Sequence, residues 1–125
     1  MMSPLPLARA TAAAAVLLSL AACASAPVPT EQMAVGRKAV ERASGTPEIV
    51  QYAPTELERA RSKLALAEGS MNKKDYGDAR RYADEAEAEA VLAEAHAQSV
   101  KNQRAVAEVR EALRSMREEL ARRPG

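Results

Sequence analysis

The sequence predicts an all-α protein: an antiparallel helical hairpin with a long C-terminal helix and a short N-terminal helix, after a cleaved signal peptide. Alanine, the strongest helix former, is the largest part of the hydrophobic residues, which make up 47% of the 125-residue chain. Phe and Trp are absent and Tyr occurs only 3 times, so thin helix pairing is expected rather than a thick globular core. Gly45 and Pro47, which mark a helix end, separate two helical segments, and no Gly or Pro occurs between Gly77 and Pro124.

Residues 1–22 have the three parts of an export signal. Arg9 supplies a positive charge, residues 10–20 form an uncharged apolar run, and small residues follow. This run is shorter than the about 20 residues that a membrane-spanning helix needs. We therefore expect a signal peptide that is removed, not a transmembrane helix.

The end of this signal, Leu20-Ala21-Ala22-Cys23, resembles the bacterial lipobox. The resemblance implies cleavage before Cys23, diacylglycerol attachment to its thiol, and acylation of the new N-terminus, which together anchor a protein stably. The alternative is a plain secretory signal cleaved near Ala22 or Ala24, with an incidental cysteine. A lone cysteine is unusual in an exported protein and favours lipidation. In enteric-type sorting Ala24 favours the outer membrane, so we expect a Gram-negative outer-membrane protein that faces the periplasm.

A tether and a short helix follow the signal. Residues 23–30 form the predicted tether, because Pro27 and Pro29 keep it extended. Residues 31–44 form the predicted short helix, with Thr30 as its N-cap. Few apolar residues occur in this helix, so the sequence does not say where it packs.

The helical hairpin is predicted over residues 54–123, after a linker at 45–53 that contains glycine and proline. Either Pro54 at the first helical position or a capping box over 55–58 begins the second helix. Alternating spacings of three and four place the apolar residues of this helix on one stripe. The stripe consists of Leu57, Ala60, Leu64, Ala67 and Met71.

A third, long helix is predicted from Tyr76 to about Arg122, capped by Asp75, because no Gly or Pro occurs between Gly77 and Pro124. At about 1.5 Å per residue it would reach about 70 Å, against about 27 Å for the second helix. A seam of small residues should face the second helix, since a short loop makes neighbouring helices antiparallel. These residues are Ala79, Ala83, Ala86, Ala90, Ala93, Ala97 and Val100.

The long helix has a second, larger seam whose spacings also alternate between three and four, the pattern of a heptad repeat. From Val106 onward it lies beyond the reach of the second helix, and exposed apolar stripes usually meet a partner. Either the first helix folds back over this part, or a second copy of the chain covers it, with Asn102 helping to set the register. The seam consists of Leu92, Ala95, Ser99, Asn102, Val106, Val109, Leu113, Met116 and Leu120, and the last five form the predicted partner surface.

Two stretches of the hairpin resemble the domain of unknown function 4398 family. They are residues 53–64, APTELERARSKL, and residues 74–86, KDYGDARRYADEA. The resemblance covers about residues 50–100 and implies a Gram-negative envelope lipoprotein without catalytic residues. In some relatives the helical domain precedes a peptidoglycan-binding domain that resembles outer membrane protein A. With Gly125 as the last residue, we expect no such domain here.

No catalytic, cofactor-binding or metal site is predicted. His96, the only histidine, has no usual metal ligand three or four residues away. The sequence also contains no Gly-rich phosphate loop, and no Ser or Thr with a plausible base nearby. An acidic cluster is spread around the helix axis and predicts a solvated face. This cluster consists of Asp84, Glu85, Glu87, Glu89 and Glu94.

The charge balance excludes a nucleic-acid partner on electrostatic grounds. Removal of Arg9 with the signal lowers the 18 Lys and Arg residues to 17, against 17 Asp and Glu, so the mature chain is near neutral. The C-terminal segment is locally basic and would touch anionic wall polymer or a partner protein, although interleaved glutamates cancel most of the field. Its arginines are Arg110, Arg114, Arg117, Arg122 and Arg123.

These observations predict a non-enzymatic outer-membrane lipoprotein that acts as a periplasmic scaffold or interaction module. It would be anchored to the membrane through the lipid on Cys23 and would bind a protein partner, or a second copy, through the C-terminal helix. The alternative is a structural tether from membrane to cell wall, similar to murein lipoprotein, which also has a lipobox and a long heptad helix. The wall linkage of that protein resembles a C-terminal lysine reaction, whereas residues 122–125 here are Arg-Arg-Pro-Gly. An enzyme or small-ligand carrier is disfavoured by the lack of aromatic residues to line a pocket.

Overall fold

The computed structural model describes residues 26–123, which form four helices and contain no strand. The all-α class, with a long C-terminal helix and shorter helices before it, is confirmed. The predicted signal peptide, the lipobox and Cys23 lie outside the described residues. The helices are α1 (Thr30–Ser44), α2 (Pro47–Tyr52), α3 (Pro54–Asn72) and α4 (Tyr76–Arg122).

The core lies on one face of α4, against which α1, α2 and α3 all pack. Six alanines on this face have exposed fractions of 3% or less. Because a methyl side chain allows helix axes to approach closely, the core between these helices is thin. The small-residue seam meets α3 as predicted, and it also meets α1, for which the sequence indicated no partner. The six alanines are Ala79, Ala83, Ala86, Ala90, Ala93 and Ala97.

Pairs of charged side chains define the helix directions. Lys63 Nζ lies 2.6 Å from a carboxylate oxygen of Glu85, and Glu56 pairs with His96 further along α4, so α3 and α4 are antiparallel. Met33, near the start of α1, packs in a cluster with Ala83 of α4. Further on, Arg42 of α1 lies 2.7 Å from Glu94 of α4. The helix α1 therefore runs parallel to the first half of α4.

Gly36 marks the closest approach between α1 and α4. A Cβ atom built on Gly36 would lie 2.8 Å from the carbonyl oxygen of Ala83 and 3.5 Å from its Cα. That distance to a backbone oxygen is shorter than van der Waals contact allows, so only glycine fits at this crossing without movement of a helix.

The segment predicted as a linker contains the helix α2. Pro47 occupies the first turn of α2, where its missing N–H is no loss. Ile49 is 3% exposed and packs in one cluster with Val40 of α1 and Leu57 of α3. A helix of only six residues is too short for apolar periodicity to reveal it in a sequence.

The helix ends agree only in part with the predicted caps. Asp75 accepts a hydrogen bond from the backbone N–H of Asp78 at 3.2 Å, as predicted. Thr30 makes no side-chain cap, because it is already the first residue of α1 and follows the N-cap Pro29. Of the two alternatives for α3, the one with Pro54 at the first position is realised, without a side-chain cap.

The turn between α3 and α4 closes with two backbone hydrogen bonds. The N–H of Asp75 donates to the carbonyl of Ser70 at 2.9 Å, and that of Lys74 donates to Met71 at 3.0 Å. This is the Schellman arrangement, which requires a left-handed residue just past the helix end. Lys74 takes that conformation with φ of 59°, where glycine is usual.

Candidate interaction surface

Residues 105–122 of α4, called here the projecting segment, extend beyond the other helices. Arg104 makes the last hydrogen bond, ion pair or cation–π contact between α4 and another helix within residues 26–123. Its guanidinium lies 4.5 Å from the centre of the Tyr52 ring and donates to the Tyr52 hydroxyl at 3.1 Å. The residues past it are all exposed and span about 27 Å.

The projecting segment is an extension of a helix that is already formed in the bundle. An isolated helix of this length is marginal in water, because nucleation of the first turn is unfavourable. Here the turns of α4 before Arg104 provide the nucleus. Ion pairs on the helix surface add small contributions, such as Arg114 with Glu111 at 3.0 Å and Arg122 with Glu119 at 3.4 Å.

The five predicted partner residues form one exposed apolar stripe, called here the outer stripe. Their exposed fractions range from 46% to 72%. Within residues 26–123, neither α1 nor any other helix covers the stripe, so the expectation that the first helix folds back over it is not realised. Exposed apolar stripes of this kind mark interaction surfaces. The outer stripe consists of Val106, Val109, Leu113, Met116 and Leu120.

The outer stripe faces away from the bundle. Leu113 follows the buried Ala97 by sixteen residues, which at about 100° per residue is a turn of about 160° around the helix axis. The second seam continues along this outer side beside the bundle, where Leu92 is 49% exposed and Ala95 is also exposed. Leu92 lines a surface depression with Lys63 of α3, whereas the outer stripe itself lies past the last contact of α4 with another described helix, at Arg104.

The two edges of the outer stripe differ in charge. Arg110 and Arg117 lie on one edge, whereas Ala105 and Ala112 lie on the other, which ends at Glu119 paired with Arg122. Neither Arg110 nor Arg117 forms an ion pair with a carboxylate of the described residues, unlike Arg114. The surface is thus an apolar stripe with one basic edge and one small-residue edge.

His96, expected to be a surface histidine, is 45% exposed and pairs with Glu56 of α3, with Nδ1 3.0 Å from a carboxylate oxygen. A backbone hydrogen bond and the hydrogen bond to His96 hold the pKa of Glu56 below its ordinary value. No group of three or more His, Cys, Asp or Glu residues suited to a metal ion occurs within residues 26–123.

Three members of the acidic cluster form ion pairs with residues of other helices, whereas the sequence predicted only a solvated face. Glu85, Glu89 and Glu94 pair with Lys63 at 2.6 Å, Arg59 at 3.0 Å and Arg42 at 2.7 Å. The hydrogen bond from Lys63 lowers the pKa of Glu85. Surface ion pairs contribute at most about 1 kcal/mol each, so these pairs orient the helices more than they stabilise the fold.

Sequence reasoning missed α2, the packing role of Gly36 and the pair of Tyr52 with Arg104. An isolated glycine within a helical pattern was a signal for Gly36, because such a glycine often has a packing reason. Tyr52 and Arg104 are 52 residues apart, and no local periodicity connects residues at that separation.

The family model described as Domain of unknown function (DUF4398) matches residues 31–109. The chain belongs to this family. The DUF4398 match extends from α1 into the start of the projecting segment, a wider range than the sequence resemblance at 50–100. No curated protein and no solved structure matches the chain. Within residues 26–123, none of the helices has the length and apolar character that crossing a membrane requires.

Proposed function

We propose that this DUF4398 protein is a non-enzymatic outer-membrane lipoprotein whose helical bundle holds the projecting segment in the periplasm for a protein partner. The observation that supports the proposal is the outer stripe, an apolar surface left uncovered by the described helices. Burial of a Val, Leu or Met side chain is favourable by about 1.5–3 kcal/mol, so binding of a partner along the stripe would be stabilising.

The positions of the two ends of the described residues support an anchored arm. Thr30, at the start of α1, lines the same surface depression as Met71 and Asn72 beside the α3–α4 turn. The projecting segment leaves the bundle at the opposite end, past Arg104. A lipid on Cys23 would hold the turn end near the bilayer, and the outer stripe would then point into the periplasm along a helix of about 70 Å.

The interaction is tested with a pair of variants on the projecting segment. Leu113→Glu places a charge in the outer stripe, whereas Ser115→Glu places the same charge about 160° away on the helix. After chemical crosslinking of intact cell envelopes, we expect the adducts of this protein to be lost in Leu113→Glu and kept in Ser115→Glu. Both variants should keep the wild-type melting temperature, because both sites are exposed. Equal adduct formation in the two variants would show that the stripe is not the contact surface.

The anchor is tested separately with Cys23→Ala, and with Ser25→Ala as the control beside it. We expect Cys23→Ala to lose incorporation of labelled palmitate and to leave the outer-membrane fraction, because its thiol is the predicted acceptor of the lipid. Ser25→Ala should retain both properties. If the amount of Cys23→Ala in the outer-membrane fraction equals that of the wild type, the lipid anchor is disproved, whatever the result for the outer stripe.

A further inference from the structure

We infer that a second copy of this chain covers the outer stripe, and that the two α4 helices form a parallel, in-register coiled coil over residues 92–120. The inference rests on the proposed function, since it names the partner of the projecting segment. The pair is symmetric, so each residue of the seam meets the same residue of the other copy.

The heptad spacing of the seam allows pairing with another helix. Two-stranded coiled coils bury the first and fourth positions of each heptad, named a and d. Nine residues of the seam fall on these positions without interruption, and the apolar ones become more frequent toward the C-terminus. The a positions are Leu92, Ser99, Val106, Leu113 and Leu120, and the d positions are Ala95, Asn102, Val109 and Met116.

The bundle leaves room for the second copy. The buried alanines of α4, such as Ala90 and Ala97, face α1 and α3. The seam lies on the other side of the helix, with Leu92 beside Lys63 of α3 at its start. In a parallel pair, each bundle is therefore on the outside of its own α4. Two chains anchored in one membrane through their N-termini would also present their α4 helices in the same direction.

The charged edges favour the parallel orientation over the antiparallel one. In a parallel pair the basic edge of one copy meets the small-residue edge of the other, so Arg110 lies beside Ala105 and Arg117 beside Ala112. An antiparallel pair over the outer stripe, residues 106–120, would instead bring Arg110 of one copy beside Arg117 of the other, and like charges on facing edges are unfavourable. The arrangement of charges thus selects against the reversed pair.

Asn102 selects the register. Its side-chain oxygen accepts a hydrogen bond from Gln98 of the same helix at 2.8 Å. In register, Asn102 would meet Asn102 of the other copy and the two amides could bond to each other. A slip by one heptad would place it against Val109, where a buried amide would lose partners.

The size of the seam is near the lower limit for a specific interface. Residues 92–120 span about 43 Å, and a strip about 10 Å wide along a helix of that length covers about 430 Å² on each copy. The pair would bury about 900 Å² in total, close to the about 1,000 Å² expected of a specific interface. We therefore expect a weak dimer, which attachment of both chains to one membrane would favour by raising their local concentration.

The test is disulfide crosslinking of the full-length chain in intact envelopes. Val106→Cys and Leu120→Cys place a thiol in the seam, and Glu108→Cys places one about 160° away from Val106. In a parallel, in-register pair, the thiols at an a position face each other at a distance that a disulfide spans. The wild-type chain, whose only cysteine is Cys23, is the baseline.

With a mild oxidant, we expect both seam variants to give a band of twice the monomer mass, about tenfold stronger than that from Glu108→Cys or the wild type. Equal bands from Glu108→Cys would overturn the inference, since they indicate random collisions. A third seam variant, Leu113→Cys, tests the orientation. A doubled band from Leu113→Cys without one from Val106→Cys or Leu120→Cys would also overturn the inference, because Val106 lies about 25 Å from its copy in an antiparallel pair centred near Leu113. If the seam variants instead form adducts of another mass, the partner is a different protein, and the proposed function still holds. Absence of any seam adduct would overturn the second copy, whereas the proposed function is decided separately by the comparison of Leu113→Glu with Ser115→Glu.

Discussion

Replacement of Gly36 by alanine should destabilise the protein, although alanine is the better helix former. In a free helix this change would be favourable by about 1 kcal/mol. Here the new Cβ atom would lie 2.8 Å from the carbonyl oxygen of Ala83, and α1 or α4 must move to relieve the clash. Overpacking of this kind costs about 1–3 kcal/mol, so we expect a net loss of up to about 2 kcal/mol.

Gly69→Ala is the matched control, because Gly69 also lies in a helix but has no atom within 4 Å of its built Cβ. This variant should gain up to about 1 kcal/mol from helix propensity alone. The two variants should therefore differ in unfolding free energy by about 1–3 kcal/mol. In a domain of about 100 residues, 1 kcal/mol corresponds to about 4–8 °C in melting temperature.

The melting temperature is measured by thermal unfolding followed by far-UV circular dichroism, and urea unfolding gives the free energy of unfolding independently. We expect Gly36→Ala to melt below the wild type and Gly69→Ala at or above it. If Gly36→Ala melts as high as Gly69→Ala, then α1 does not approach α4 as closely as the described contact requires, and the packing argument fails.

Three further changes test other parts of the fold. Ile49→Ala should lower the free energy of unfolding in urea by about 2–4 kcal/mol, because Ile49 is 3% exposed. Val50→Ala, at a site 50% exposed, should lower it by less than about 1 kcal/mol. Equal losses in the two variants would mean that α2 is not part of the core. Lys74→Gly should raise the melting temperature, because it relieves a left-handed residue with φ of 59°, and an unchanged or lower value would contradict the Schellman turn. The folded pKa of Glu56 is below its ordinary value of 4.5, so its carboxylate stabilises the fold above that pH and the contribution disappears as pH falls through the folded pKa. The melting temperature of the wild type should exceed that of Glu56→Gln at about pH 6 and approach it at about pH 3; a difference that is the same at both pH values would contradict this role of the Glu56 carboxylate.

The helices α3 and α4 were predictable because their signals are local. Spacings of three and four put Leu57 and Ala60 on one face of α3, and both are buried there. The absence of Gly and Pro between Gly77 and Pro124 made one uninterrupted helix the expected structure. The apolar pattern of the outer stripe was also predictable from its spacing, but its exposure was not, because the sequence left open whether α1 covers it.

The contacts between distant segments depended on the tertiary structure. The helix α1 has few apolar residues, and its place against α4 rests on a steric fit at Gly36 that no periodicity encodes. The six-residue helix α2 is stabilised by burial of Ile49 rather than by its own propensity.

The amino-acid order thus determined which residues are helical and which faces of those helices are apolar, because both properties repeat within a few residues. Only the packed bundle decided that the alanine face of α4 is shared by three helices and that the outer stripe remains exposed. Those outcomes depend on distances between segments that are far apart in the chain, and steric fit between them is a property of the assembled helices.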